Sequence, residues 1–214
     1  MQAYVDRQVK SLEDVRIDTC HEKVQLVAGM GAVAGAANIP HAQKQKVLRA
    51  IRRLDTEVVI IDVGAGSAFN SLDFFDIGDL RLLVATPQIT SLQNAYAFLK
   101  AALYRALKFR ASTPRERELV KGSSDRSEQE RVSQLLGRIA VEDNELAGIL
   151  GGVVSSYSCG IIGNQLQSAR EERTLEALAK MAKDFLNLEL KTLAAISHTD
   201  VIHRSIARTR PFIM

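Results

Sequence analysis

The chain has 214 residues, 46% hydrophobic and 25% charged, with 28 Lys and Arg against 25 Asp and Glu. This balance excludes overall disorder, and a net charge of +3 gives no clear sign of a nucleic-acid surface. The length is enough for one packed domain that buries roughly 70% of its unfolded surface. Two cysteines far apart, Cys20 and Cys159, argue against a disulfide scaffold and point to a reducing, cytoplasmic compartment.

In chain order, Met1 to Arg7 carries charges where an export signal needs an apolar stretch. A strand is expected from Val24 to Ala28, followed by a glycine-rich loop, Gly29-Met-Gly31-Ala-Val-Ala-Gly35. His41 to Leu54 then reads as a helix. Val47, Leu48, Ile51 and Leu54 form its apolar stripe, and Lys44, Lys46, Arg49, Arg52 and Arg53 its wet face. Val58-Val-Ile-Ile-Asp-Val63 is nearly continuous and β-branched, the mark of a strand covered on both faces, as in parallel sheets. Asp73, Asp76 and Asp79 follow as a solvated loop and helix cap.

A strand from Leu80 to Ala85 leads into a helix from Thr90 to Leu107, opened by a Thr90/Gln93 capping box. Lys108 to Glu145 reads as a charged, solvated helical insertion or a partner-binding lid. Its second helix opens with Ser127 and Glu130. Leu146 to Ala169 is uncharged, but glycines and serines interrupt it too often for a membrane span. It reads as a turn and then a buried strand, Tyr157 to Gly163. A helix from Ser168 to Leu188 and a strand from Thr192 to Ile196 follow. Strands alternating with helices predict one α/β domain with a doubly wound, mostly parallel sheet.

The most informative segment is Val58-Val-Ile-Ile-Asp62-Val63-Gly64-Ala65-Gly66-Ser67. Ligands of open α/β sheets bind beyond the carboxyl ends of strands, where a carboxylate followed by glycines is well placed for chemistry. Three chemistries fit such a strand end. A dinucleotide fingerprint needs a small residue where Phe69 stands. A methyltransferase-like D-x-G-x-G fits Asp62, Gly64 and Gly66, but the next strand lacks the acidic residue that would hold a ribose. A Walker-B strand would use Asp62 on a Mg²⁺-bound water and Gly66 to respond to a γ-phosphate.

Downstream residues favour the third. Asp79-Leu-Arg-Leu-Leu-Val-Ala-Thr86-Pro87-Gln88-Ile-Thr90-Ser91 resembles the MinD/ParA family of positioning ATPases, above all its flagellar-number-regulator branch (FlhG/FleN). Gly160-Ile-Ile-Gly-Asn164-Gln165 is similar to that family's strand ending in an adenine-contacting asparagine. Ile196-Ser-His198-Thr-Asp200 and Arg208-Thr-Arg210-Pro211-Phe212 look like its IP-x-D loop and closing RRPF segment. The resemblance implies a P-loop fold and an ATP- and Mg²⁺-dependent ATPase that positions flagella, the division site or chromosomes and forms a homodimer through a nucleotide sandwich. It gives Asp62 the Mg²⁺ contact through water, Gly64 and Gly66 the phosphate-side turn, Asn164 the adenine and Asp200 the border of the base.

The sequence departs from the family in having Ser197 for proline and Gln88 for glutamate, and in containing no G-x-x-x-x-G-K-[ST]. It therefore matches the family without its first βα unit, as a carboxyl-terminal portion unable to hydrolyse ATP alone. Protein partners are expected at residues 108–145, with no membrane helix. The alternatives are a nucleotide-independent interaction module (a pseudo-ATPase) and an S-adenosylmethionine-dependent methyltransferase-like enzyme. His21, His41, His198 and His203 show no metal-ligand spacing, and the G-x-S-x-G of a serine hydrolase is absent.

Overall fold

The computed structural model describes residues 1–29, 40–64, 69–121 and 130–209. The chain divides into two compact units, Met1–Ile77 and Gly78–Met214.

In the first unit, helix α1 (Gln2–Val5) precedes a short antiparallel hairpin of β1 (Arg16–Asp18) and β2 (Gln25–Val27), with Ile17 opposite Leu26. The strand predicted near Val24 therefore exists, but in a two-stranded ribbon rather than a parallel sheet. Helix α2 (His41–Ile51) buries Val47 and Ile51 with Tyr4, Val5 and Leu12. Its polar face is less wet than its composition suggests. Lys46 Nζ donates to the Tyr4 carbonyl at 3.1 Å and lies 4.1 Å from the centre of the Tyr4 ring. Lys44 is buried in an ion pair with Asp73 of α3 (Phe69–Asp76). Asp73 is thus a core residue rather than part of a solvated loop. Burying two charges is costly, and it is sustained here because each supplies the other's counter-charge.

The second unit holds a three-stranded parallel sheet in the order β3 (Arg81–Ala85), β4 (Cys159–Leu166), β5 (Leu190–Ser197). All three strands fall where their β-branched runs predict them. Helix α4 (Ile89–Arg110) follows β3, and α8 (Ala169–Met181) crosses from β4 to β5. Both pack on one face of the sheet. Leu175 and Leu178 of α8, with Leu92, Ala95 and Tyr96 of α4, enclose Ala85, Ile161 and Leu166. On the opposite face Leu82, Val84 and Leu193 remain 40%, 61% and 52% exposed.

Between β3 and β4 run α5 (Pro114–Lys121), α6 (Val132–Glu142) and α7 (Asn144–Ser156). Val120, Val132, Leu135 and Ile139 are fully buried, so this charged stretch contributes to the core instead of lying wholly in solvent. The stretch from Leu146 up to the strand, read from sequence as a turn, is helical as part of α7. Leu146, Leu150 and Val154 make one buried stripe four residues apart, and the Asp143 carboxylate caps the start by accepting from Leu146 N–H at 2.9 Å. That stripe outweighs the low helix propensity of Gly148, Gly151 and Gly152. The Thr90/Gln93 capping box is not formed either. Gln88 stands at the cap of α4, and Ser91 Oγ turns back to accept from Thr86 N–H at 3.0 Å. Ser127 lies outside the described residues. No helix among the described residues is long and apolar enough to cross a membrane.

Candidate functional site

The carboxyl ends of β4 and β5, with the first turn of α8, enclose a cleft of about 540 Å³ lined by Leu166, Gln167, Ser168, Ala169, Glu172, Ala195, Ser197 and His198. This is where parallel strands of an α/β sheet present ligands, because the crossover to the helix leaves a gap beyond the strand tips.

Local backbone geometry shapes the cleft. Gly163 pairs with Ala195, but the next aligned pair is Leu166 with Ser197, so β4 spends one extra residue there. The excess is taken up at Gln165, whose φ of 59° lies in the left-handed region that non-glycine residues seldom occupy. Asn164 holds the bend, its Oδ1 accepting from Gln165 N–H at 2.9 Å. The ladder then closes where His198 N–H donates to the Leu166 carbonyl at 2.8 Å.

On the helix side, Glu171 Oε2 accepts from Gln167 N–H at 2.7 Å, while Ser168, at the cap of α8, makes no side-chain cap bond. On the β5 side, Thr199 Oγ1 caps helix α9 (Asp200–Arg208), and His198 Nε2 stands 3.8 Å from Asp200 Oδ1. The walls thus combine aliphatic surface with two hydroxyls, an imidazole and the carboxylate of Glu172. Such a set can grip a flat polar ring by hydrogen bonds and contact area.

Asn164, His198 and Asp200, singled out from the sequence, all lie at the β4 and β5 tips. Sequence reasoning missed Gln167, Ser168 and Glu172. Their signal was a polar run directly after an apolar strand, at the start of a helix. Asn164 is not itself one of the cleft's lining residues; its oxygen accepts from the Gln165 N–H and holds the bend beside them.

The segment carrying Asp62 differs more. Residues 58–64 join no ladder among the described residues, and Val58 and Ile60 are 72% and 90% exposed. Only Ile61 of the apolar run is packed against the core of its unit. The predicted buried strand fails to form because an apolar run becomes a strand only where a neighbouring strand takes its hydrogen bonds. Asp62 and Gly64 are exposed, and Gly66 lies outside the described residues. Among the described residues no three His, Cys, Asp or Glu side chains converge as metal ligands. An exposed Asp62 away from any ladder does not fit a carboxylate held at a strand end over Mg²⁺ and a triphosphate.

No protein-family model and no curated protein matches the sequence.

Proposed function

We propose that the chain is a carboxyl-terminal portion of a MinD/ParA-like, doubly wound P-loop ATPase, and that the β4–β5 cleft receives the purine end of a nucleotide. The cleft itself carries this proposal: it lies beyond the tips of parallel strands, and the residues matched to the family's adenine side, Asn164 and Asp200, flank its lining residues Leu166 and His198. Ser168 and Ser197 offer hydroxyls to the ring nitrogens, and Asn164 holds the bend beside them. The ATP and Mg²⁺ roles of Asp62, Gly64 and Gly66, the nucleotide-sandwich homodimer and the positioning of a cellular structure rest on the sequence resemblance alone. With no phosphate-loop lysine in the sequence, this chain does not turn over ATP.

Titration calorimetry with adenosine, ATP and S-adenosylmethionine tests this. Adenosine and ATP should bind alike, because nothing in the cleft rewards the phosphates, and Asn164→Ala, which frees the bend beside the lining, should weaken both about tenfold, the equivalent of one hydrogen bond. Binding of S-adenosylmethionine without ATP, or of neither ligand, overturns the proposal. A nucleotide-independent interaction module is the second reading. It is favoured by the exposed placement of Asp62, and silence towards all three ligands is its signature.

A further inference from the structure

The lining of the β4–β5 cleft is uneven in its hydrogen-bonding capacity. Gln167, Ser168, Ser197 and His198 carry side chains that both donate and accept, and no lysine or arginine stands among the lining residues. Glu172 is the exception, because a carboxylate only accepts. The helix fixes its place. Glu172 lies four residues beyond Ser168 and three beyond Ala169, so all three share one side of α8, with the carboxylate about 6 Å further along the axis than the hydroxyl. Its neighbour Glu171 is spent on the Gln167 N–H at 2.7 Å, whereas Glu172 has no hydrogen bond or ion pair to a described residue. The cleft therefore holds several groups able to donate and one strong acceptor with no partner from the chain.

Adenine has the matching asymmetry. Its free ring nitrogens all accept, and its 6-amino group is the base's one donor. We infer that Glu172 sets the choice of base: its carboxylate accepts from the 6-amino group of an adenine nucleoside, while Ser168 and Ser197 donate to ring nitrogens. This rests on the reading that the cleft takes a purine, and adds which purine and through which residue. A 6-oxo purine seated the same way sets a carbonyl oxygen against the carboxylate, two acceptors with no proton between them. A purine with only hydrogen at position 6 displaces water from the carboxylate and returns no hydrogen bond.

Titration calorimetry on the full chain with adenosine, purine riboside, inosine and guanosine reads this without any variant. Adenosine should bind about ten- to a hundredfold more tightly than purine riboside, the range of one hydrogen bond to a charged acceptor, and inosine and guanosine should be weaker still. In Glu172→Gln the amide offers its oxygen to a 6-amino group or its NH₂ to a 6-oxo group, so adenosine and inosine should come within about threefold of each other, with the far-ultraviolet spectrum unchanged. Equal binding of adenosine and purine riboside overturns the role of Glu172 and leaves the purine reading standing. So does an adenosine preference that survives Glu172→Gln. Tighter binding of guanosine, the result if a base turns its N1–H and 2-amino group to the carboxylate, overturns the choice of adenine. Silence towards all four nucleosides overturns this inference and the purine reading together.

Discussion

Gly160 and Gly163 lie on opposite faces of β4, and adding one methyl group to each separates what covers the two faces. A Cβ at Gly163 would stand 2.5 Å from Leu175 Cδ1 and 2.9 Å from Leu166 Cδ1. Both leucines are buried, at 0% and 5% exposure, so neither has anywhere to swing. Overpacking of this kind costs ~1–3 kcal/mol. The reduced freedom of the unfolded chain returns ~0.4–1 kcal/mol. Gly163→Ala should therefore lose ~1–2 kcal/mol net.

At Gly160 the nominal clash is no milder, 2.4 Å to Leu193 Cδ1 and 2.8 Å to Leu193 Cγ. Leu193, however, is 52% exposed and can rotate into solvent. The loss of that contact and the unfolded-state gain nearly offset each other, so Gly160→Ala should stay within ~0.5 kcal/mol of the parent. Urea unfolding followed by circular dichroism, with the slope unchanged between variants, measures both. Equal destabilisation by the two substitutions would refute the assignment of one covered and one open face.

Three further outcomes are expected. Lys44→Met leaves the Asp73 carboxylate buried without its cation and should cost ~3–5 kcal/mol, whereas Lys44→Met with Asp73→Leu should recover most of it; hydrogen exchange along α2 reports the difference. Burial pushes the Cys159 thiol up to about 12, so a thiol reagent at mildly alkaline pH should modify only exposed Cys20 in the native chain and both cysteines in urea. The Glu116 carboxylate is held below its usual range, chiefly by accepting from Ser112 N–H at 2.6 Å and also by Thr113. Its folded value lies below its unfolded one, so the stabilisation of the start of α5 is present above the unfolded value. It is lost as pH falls through the folded one, and amide exchange at Ser112 and Thr113 should quicken there, a dependence that Glu116→Gln removes.

What the sequence disclosed follows from what a local pattern can carry. Strands β3, β4 and β5 and helices α2, α4 and α8 were legible because each satisfies its own periodicity and finds its partner in the same unit. Val58–Val63 was misread for the complementary reason. Its composition states a demand for burial, but a strand also needs a neighbour, and hydropathy does not record whether one is present. Helix α7 was hidden by its glycines, although Leu146, Leu150 and Val154 already marked the buried stripe. At the cleft, Asn164 and Asp200 were found through resemblance. Ser168 and Glu172 matter only because the bend at Gln165 and the turn into α8 bring a helix start beside the end of β5, a juxtaposition across some thirty positions.

The return from α8 to β5 has a mechanical consequence. The helix ends in a wider π turn, Ala182–Leu186, then a left-handed Asn187, with Ala182, Leu186 and Leu188 all sealed from water. A joint this short and this well anchored transmits displacement instead of absorbing it. The joint lies at the far end of α8 and β5 from the cleft, so it locks the helix to its strand there, while the spacing of the cleft's walls is set by Leu175 and Leu178 packed against Ile161 and Leu166.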